Sequence, residues 1–240
     1  MENRYTQEYA VLPSVCDSSA HLGVPDTFAL FMDLAAIHAE QLEFDTPRLM
    51  KQGLFWLTVR TRVRFLRRPK MAERVTLATW PEPPSKLRTD RDYTITRSGE
   101  LLVAGKTEWT ILEMDSGRLH PMAGIFAPDF AFYPDTVWEE PFTRMKDEAM
   151  EEFARYTVRS TDIDLGGHMN NAAYLRALAG LFSVRDWQGM NIRELEIAFR
   201  APCYEGDTLL WQKHEDGSEL SLRAALPDGK TVVLARILHE

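Results

Sequence analysis

The chain has 240 residues, with 28 Lys+Arg against 36 Asp+Glu and a formal charge of −8. Hydrophobic residues at 45% and charged residues at 27% are ordinary globular usage and exclude wholesale disorder. An acidic balance argues against a nucleic-acid partner, and Cys16 and Cys203 alone make neither a disulfide framework nor a zinc spacing. No apolar run reaches the ~18 residues a membrane span needs. The stretch from Met1 to Tyr5 has no basic start with an apolar region behind it, so the expected setting is cytoplasmic.

In chain order, the first motif is Cys16-Asp17-Ser18-Ser19-Ala20-His21-Leu22-Gly23. Behind it, Pro25 and Asp26 are expected to cap a helix whose apolar positions Phe28, Phe31, Leu34, Ala35, His38 and Leu42 share one face. From Leu57 the chain alternates as a half-buried strand, with Leu57, Val59, Thr61, Val63 and Phe65 on one face and Thr58, Arg60, Arg62 and Arg64 on the other. After Pro69, strands are predicted at 75–80, 91–97 and 101–112, with Ser98-Gly99 as a hairpin turn. Residues 127–150 carry prolines, aromatics and charges without sustained period and are expected to be a connector lying against a surface.

The pattern then repeats, and such repeats decide the fold. Asp164-Leu165-Gly166-Gly167-His168-Met169-Asn170-Asn171 restates Asp-x-x-x-His and leads a second helical period through Tyr174, Leu175, Leu178, Leu181 and Phe182. Leu195, Ile197 and Phe199 alternate with Glu196, Ala198 and Arg200, Pro202 follows, and strands are predicted at 208–211, 220–225 and 231–238. Each half is one helix with about four antiparallel strands, an α+β arrangement. The expected division is 1–126, a connector 127–150, and 151–240.

Taken together in this order, several stretches carry a resemblance. In the first half they are Gly53-Leu54-Phe55-Trp56, Pro69, Thr79-Trp80, Arg91-Asp92-Tyr93, Glu108-Trp109-Thr110-Ile111 and Arg118. In the second they are Asp162-Ile163-Asp164, His168-Met169-Asn170-Asn171, Tyr174-Leu175 and Gly206-Asp207. The chain resembles the acyl-acyl carrier protein thioesterase family, which implies two tandem hotdog folds, each an antiparallel sheet wrapped around one long helix. Hotdog folds pair their sheets, and two tandem copies can do so within one chain; a monomer and a homodimer are both compatible with this.

The resemblance implies release of free fatty acid from acyl carrier protein during fatty acid biosynthesis, without cofactor or metal. Its catalytic signature falls on Asp164, His168 and Cys203. Two positions depart from it: Gly166 stands where the family often has Asn, and Pro202 where it has a catalytic Glu. Hydrolysis needs a nucleophile, a proton acceptor and donors for the oxyanion. Gly166, Gly167 and Asn170, opening onto a helix, suit the last need, and they equally suit a turn and a cap. Asp164 and His168 could pair and activate water, with Asp164 or Glu205 serving as base in place of the absent Glu. Alternatively Cys203 could attack, activated by His168. Water is the preferred nucleophile, and Asp17 with His21 is expected to be a degenerate copy.

In relatives the first hotdog supplies much of the acyl tunnel; candidates are Phe31, Met32, Leu34, Ala35, Trp56 and Trp109, each equally able to be core. An acidic carrier protein would need a basic patch, for which Arg60, Arg62, Arg64, Arg67, Arg68 and Lys70 form the densest cluster. Rival readings are an acyl-CoA thioesterase, a non-catalytic acyl-binding protein motivated by Gly166 and Pro202, and, less favoured, a hotdog dehydratase.

Overall fold

The computed structural model describes residues 3–240, so Met1 and Glu2 of the N-terminal stretch read above lie outside the described residues. The first half runs β1 (Tyr5–Ala10), α1 (Val24–Gln41), α2 (Thr46–Met50), β2 (Leu54–Phe65), β3 (Arg74–Pro81), β4 (Thr89–Arg97), β5 (Glu100–Glu113) and β6 (Leu119–His120). The second runs β7 (Glu151–Thr157), α3 (Asn171–Gly180), α4 (Val184–Gly189), β8 (Ile192–Phe199), β9 (Thr208–Asp216), β10 (Glu219–Ala225) and β11 (Thr231–His239). The sequence pattern missed β1, β7 and the short α2 and α4, whose apolar periods are too brief to stand out.

The two long helices form where the apolar periods predict them, but α1 ends at Gln41 and α3 at Gly180, so Leu42, Leu181 and Phe182 lie past the helix ends. In α1, Phe28, Phe31, Leu34, Ala35 and His38 are buried, and in α3, Tyr174, Leu175 and Leu178 are. The cap of α1 is Gly23, with Pro25 inside the first turn, one correction to the expected boundary. Asn170 caps α3, its side chain accepting from Ala172 N–H at 2.8 Å. The hairpin at Ser98-Gly99 has both residues at positive φ, 50° and 83°, as a tight primed turn requires.

The strands form one antiparallel sheet in the order β1-β3-β4-β5-β2-β8-β11-β10-β9-β7, with β6 on β5. Read outward from its centre, each side has the same order of equivalent strands, so two hotdogs meet edge to edge at β2 and β8. That seam runs from Arg60 opposite Ala198 to Arg64 opposite Glu194. The helices α1 and α3 pack against one another on the inner face.

A bulge at Val59, between Thr58 (opposite Trp109) and Arg60 (opposite Glu108), corrects the face assignment on β2. The extra residue shifts the alternation by one. Trp56 and Thr58 therefore join Thr61, Val63 and Phe65 on the inner face, and Leu57, 39% exposed, turns outward.

The outer face corrects the docking expectation. Arg62 is 3% exposed and bonds Glu196, itself 0% exposed, at 2.7 Å across the seam; Arg64 bonds Glu194 at 2.6 Å and Arg60 bonds Glu108 at 3.0 Å. The connector lies over this row. Arg62 donates to Pro141 O at 2.9 Å, Arg60 stacks on Phe142, Arg64 stacks on Trp138, and Glu196 accepts from Thr143 N–H. Farther along, Arg67 is held by Glu73 and Arg68 by Asp17, which leaves Lys70 as the exposed cation of the predicted run. From Arg62 to Arg68 the stripe is therefore paired with carboxylates rather than free for docking, whereas Arg60 keeps one side open to solvent. The stripe holds the connector down, and opposite charges directly across a strand pair are what fix it there.

Candidate active site at the second Asp-x-x-x-His turn

Asp164 to His168 form a tight loop just ahead of α3. Asp164 N–H donates to His168 O at 3.0 Å, Gly167 N–H donates to Asp164 O at 3.0 Å, and Gly166 N–H donates to the Asp164 carboxylate at 2.8 Å. Gly167 has φ +74°, the left-handed conformation that closes such a loop and that glycine adopts without strain. These bonds use the Gly166 and Gly167 N–H groups, so neither glycine is a free oxyanion donor, contrary to expectation. The donor left over is Asn170 Nδ2. Its only contact is a long one, 3.5 Å to Asp164 Oδ2, while its oxygen is occupied with the helix cap.

The Asp164 and His168 side chains are brought together without bonding each other directly. Both approach the same point: a Cβ built on Gly166 would lie 3.1 Å from Asp164 Oδ1 and 3.6 Å from His168 Nδ1. The same Cβ would lie 3.4 Å from Cζ of Phe55, which reaches over from β2 of the first hotdog. Phe55 thus occupies the side of the turn where a larger residue at 166 would stand, which accounts physically for glycine there. The His168 ring makes no hydrogen bond among the described residues and lies against Tyr204, ring centres 5.1 Å apart. Neither Phe55 as a site residue nor Tyr204 was anticipated; the Gly53-to-Trp56 stretch was the available signal for the former.

Cys203 is 0% exposed. Burial pushes its thiol up to about 11, against a smaller opposing effect of its bond with Tyr174, so the thiol stays protonated at neutral pH. No hydrogen bond joins it to His168; instead its carbonyl accepts from Met169 N–H at 2.9 Å. Glu205 is exposed and makes no ion pair among the described residues.

The tip of the loop, Leu165, stands on the rim of a cavity of about 690 Å³ inside the first hotdog. Met32, Ala35, Trp56 and Trp109 line it as expected, joined by Phe44, Phe126, Arg91 and Asp90. Phe31 and Leu34 do not. Phe31 is fully buried, stacked 4.6 Å from Tyr93 above Gly105, and Leu34 lies in the core. The helical period placed Phe31, Leu34 and Ala35 on one face, but only residues toward the C-terminal end of α1 reach the opening. Phe126 packs edge-on against Phe44 at 5.0 Å and belongs to an aromatic cluster with Phe130 and Phe132, which closes one side.

Of the ionisable groups that line the cavity, Asp90 and Arg91 come from β4. Burial raises Asp90 to about 6, with Glu82 and Glu108 adding to the effect. Arg91 is 5% exposed with no carboxylate partner; it reaches His38 Nδ1 at 3.1 Å and Thr79 Oγ1 at 3.3 Å. Burial, and then the neighbouring Arg91, holds His38 down at about 3, so it is neutral and accepts Arg91's bond. Among the described residues no cluster of His, Cys, Asp and Glu could hold a metal ion, and no helix is long and apolar enough to cross a membrane.

Comparison with known proteins places this geometry. Residues 2–127 match the acyl-ACP thioesterase N-terminal domain, and residues 145–240 match the acyl-ACP thioesterase C-terminal domain. An oleoyl-acyl carrier protein thioesterase of Coriandrum sativum is 24% identical over 199 residues, 75% of this chain and 54% of the relative. Oleoyl-acyl carrier protein thioesterase 1 of Arabidopsis thaliana is 20% identical over 224 residues, 85% of this chain and 62% of the relative. The chain thus spans roughly half to three-fifths of these plant proteins, which are described as chloroplastic.

Among solved structures, an acyl-ACP thioesterase from Bacteroides thetaiotaomicron superposes with a TM-score of 0.91 at 22% identity, covering 99% of this chain and 98% of that one. The 12:0-ACP thioesterase from Umbellularia californica gives 0.83 at 17% identity, covering 100% and 98%. The superpositions establish the double-hotdog fold, and with both halves matched in order, the chain belongs to the acyl-ACP thioesterase family.

Proposed function

We propose that the protein hydrolyses the thioester of fatty acyl-acyl carrier protein, releasing free fatty acid in fatty acid biosynthesis. One observation carries this reading: the Asp164–His168 turn, with its carboxylate and imidazole unbonded to each other and to any cation among the described residues, stands at the rim of an acyl-sized apolar cavity. In the division we propose, residues 1–126 hold the acyl chain, 151–240 supply the chemistry, and 127–150 braces the sheet.

With the chain in the cavity, the thioester carbonyl lies at the turn. Water attacks the carbonyl carbon and gives its proton to His168; the Asp164 carboxylate, converging on the same point, stabilises the imidazolium. Asn170 Nδ2 donates to the developing oxyanion. When the tetrahedral intermediate collapses, His168 returns the proton to the departing thiolate, leaving a carboxylic acid and a thiol. Cys203, neutral and buried, takes no part.

The test is free fatty acid release from a panel of acyl-carrier-protein and acyl-CoA chain lengths, wild type beside His168→Ala. Release that depends on His168 and favours the carrier-protein substrates supports the reading. Acyl binding without release above background would replace it with a non-catalytic acyl-binding role. A preference for CoA substrates would make the protein an acyl-CoA thioesterase.

A further inference from the structure

A second basin, of about 450 Å³, opens on the outer sheet face beside the seam, where Arg60, Arg88 and Arg200 converge with Glu108 and the connector residues Thr143 and Met145. Among the described residues Glu108 is the only carboxylate on its wall and bonds both Arg60 and Arg88, so three guanidinium groups face one carboxylate there. Arg200 makes no ion pair among the described residues. Asp147, whose carboxyl it helps hold down, is bonded instead by Arg223 at 3.0 Å and Thr231 at 2.7 Å. In a chain of charge −8, whose other seam arginines are neutralised, such an excess in a concave site is an anion-binding arrangement.

Its position specifies the anion. Arg200 stands three residues before Cys203, whose carbonyl is bonded to the residue following His168. Arg60 shares the outer face of β2 with Phe55, which touches the catalytic turn at Gly166; with the bulge at Val59 between them, the two stand four ladder positions apart, roughly 14 Å. An extended pantetheine arm covers that span between its sulfur and its phosphate.

We propose that Arg60, Arg88 and Arg200 bind the phosphate of the 4′-phosphopantetheine arm that carries the acyl group. This rests on the thioesterase reading for the arm's direction. The phosphate is common to carrier-protein and coenzyme A substrates, and the basin's arginines recognise it in either.

The experiment measures binding and turnover separately. By calorimetry at low salt, 4′-phosphopantetheine should bind at least about tenfold more tightly than pantetheine, and Arg88→Gln with Arg200→Gln should erase the difference. Equal binding of the two probes by the wild type overturns the proposal. In turnover, the double variant should raise KM for both acyl-CoA and acyl-carrier protein and bring the kcat/KM ratio of acyl-phosphopantetheine to acyl-pantetheine close to one. An effect confined to the carrier-protein substrate would assign these arginines to the carrier's protein surface and overturn the phosphate site. If no thioester is hydrolysed but the binding difference holds and is lost in the variant, the basin stands and the thioesterase reading falls.

Discussion

The molecule builds the same turn twice and uses it in two ways. At Asp17–His21, Asp17 N–H bonds His21 O at 2.8 Å, Ala20 N–H bonds Asp17 O at 3.0 Å, and Ser19 N–H bonds the Asp17 carboxylate at 2.9 Å, bond for bond the arrangement at Asp164–His168. Ala20 even adopts the left-handed conformation of Gly167, with φ 57° against 74°. The difference lies in what meets the side chains. Arg68 caps the Asp17 carboxylate, and His21 Nδ1 lies 2.8 Å from Ser19 O and 3.1 Å from its hydroxyl, so both groups are spent inside the loop. Each loop also receives one carbonyl from the segment that follows the central strand of its half: Leu22 N–H bonds Pro69 O after β2 and Met169 N–H bonds Cys203 O after β8. In that register Arg68 corresponds to Pro202. A proline there offers no charge, and Asp164 is left without a cation. Backbone geometry alone therefore does not make a site; leaving the carboxylate and imidazole unsatisfied does.

The largest effect that can break this comparison is at the histidines. His168→Ala should lower kcat on acyl-carrier protein by roughly 10²–10⁴-fold, the usual contribution of a positioned proton carrier, while His21→Ala should leave kcat within about threefold. Equal losses from the two would mean that both turns, or neither, take part. Asp164→Asn should follow His168→Ala in direction with a smaller loss, because the carboxylate acts on the charge that forms on the ring.

At the first turn the expected loss is in stability. Burial alone would raise the Asp17 carboxyl, but bonds from Arg68 and Ser19 outweigh it and hold it below its ordinary value. A carboxyl lowered in the folded state contributes stability that is fully present above its unfolded value and is lost as pH falls through the folded one. Asp17→Asn should therefore lower the unfolding free energy at pH 7 by roughly 1–3 kcal/mol, for a partly buried pair broken on one side, and flatten the acid limb of the stability curve. Denaturant unfolding at pH 7 and pH 3 reads both, and an unchanged acid limb would show that the pair contributes nothing.

Both helices and most strands were legible in the sequence because their faces bury apolar residues at regular spacing, and the repeat declared itself through two copies of Asp-x-x-x-His. What was not legible depended on pairings between distant strands. Arg60, Arg62 and Arg64 read as a basic stripe because Glu108 faces Arg60 only once β5 pairs with β2, and Glu196 and Glu194 come opposite Arg62 and Arg64 only once the two hotdogs join edge to edge. The bulge at Val59 leaves no periodic trace, so Leu57 was assigned to the wrong face. Gly166 and Gly167 looked like free donors because a sequence does not reveal that a carboxylate two residues back will take one of the N–H groups. Of the acyl-wall candidates, α1 periodicity could not separate Phe31, which packs on Tyr93, from Ala35, which faces the opening.

Gly166 allows a finer test. A side chain there must fit against Asp164 at 3.1 Å and Phe55 at 3.4 Å, tight enough that the carboxylate would have to shift by a few tenths of an ångström. Gly166→Asn should therefore lower kcat by no more than about tenfold, through a displaced Asp164. Combining it with Phe55→Leu should recover part of the loss, since the leucine leaves room beside the turn. If Gly166→Asn instead raises kcat, glycine is a handicap at this position rather than an accommodation to Phe55.

The smallest expected effect is at Cys203. The comparison assigns its position by backbone role: the first repeat puts Pro69 there, a residue with no reactive side chain, and the loop opposite still receives its carbonyl. The thiol is fully enclosed, pushed up to about 11 by burial, and bonded to Tyr174 rather than to His168. At neutral pH a thiol in that range is thiolate in only about one molecule in ten thousand, which leaves little nucleophile for a reaction on a physiological timescale. Cys203→Ser preserves the shape and the Tyr174 partner, and it should leave kcat within about threefold. A loss comparable to that of His168→Ala, or an acyl-enzyme trapped by rapid quench in the wild type and absent from the serine variant, would move the nucleophile from water to sulfur.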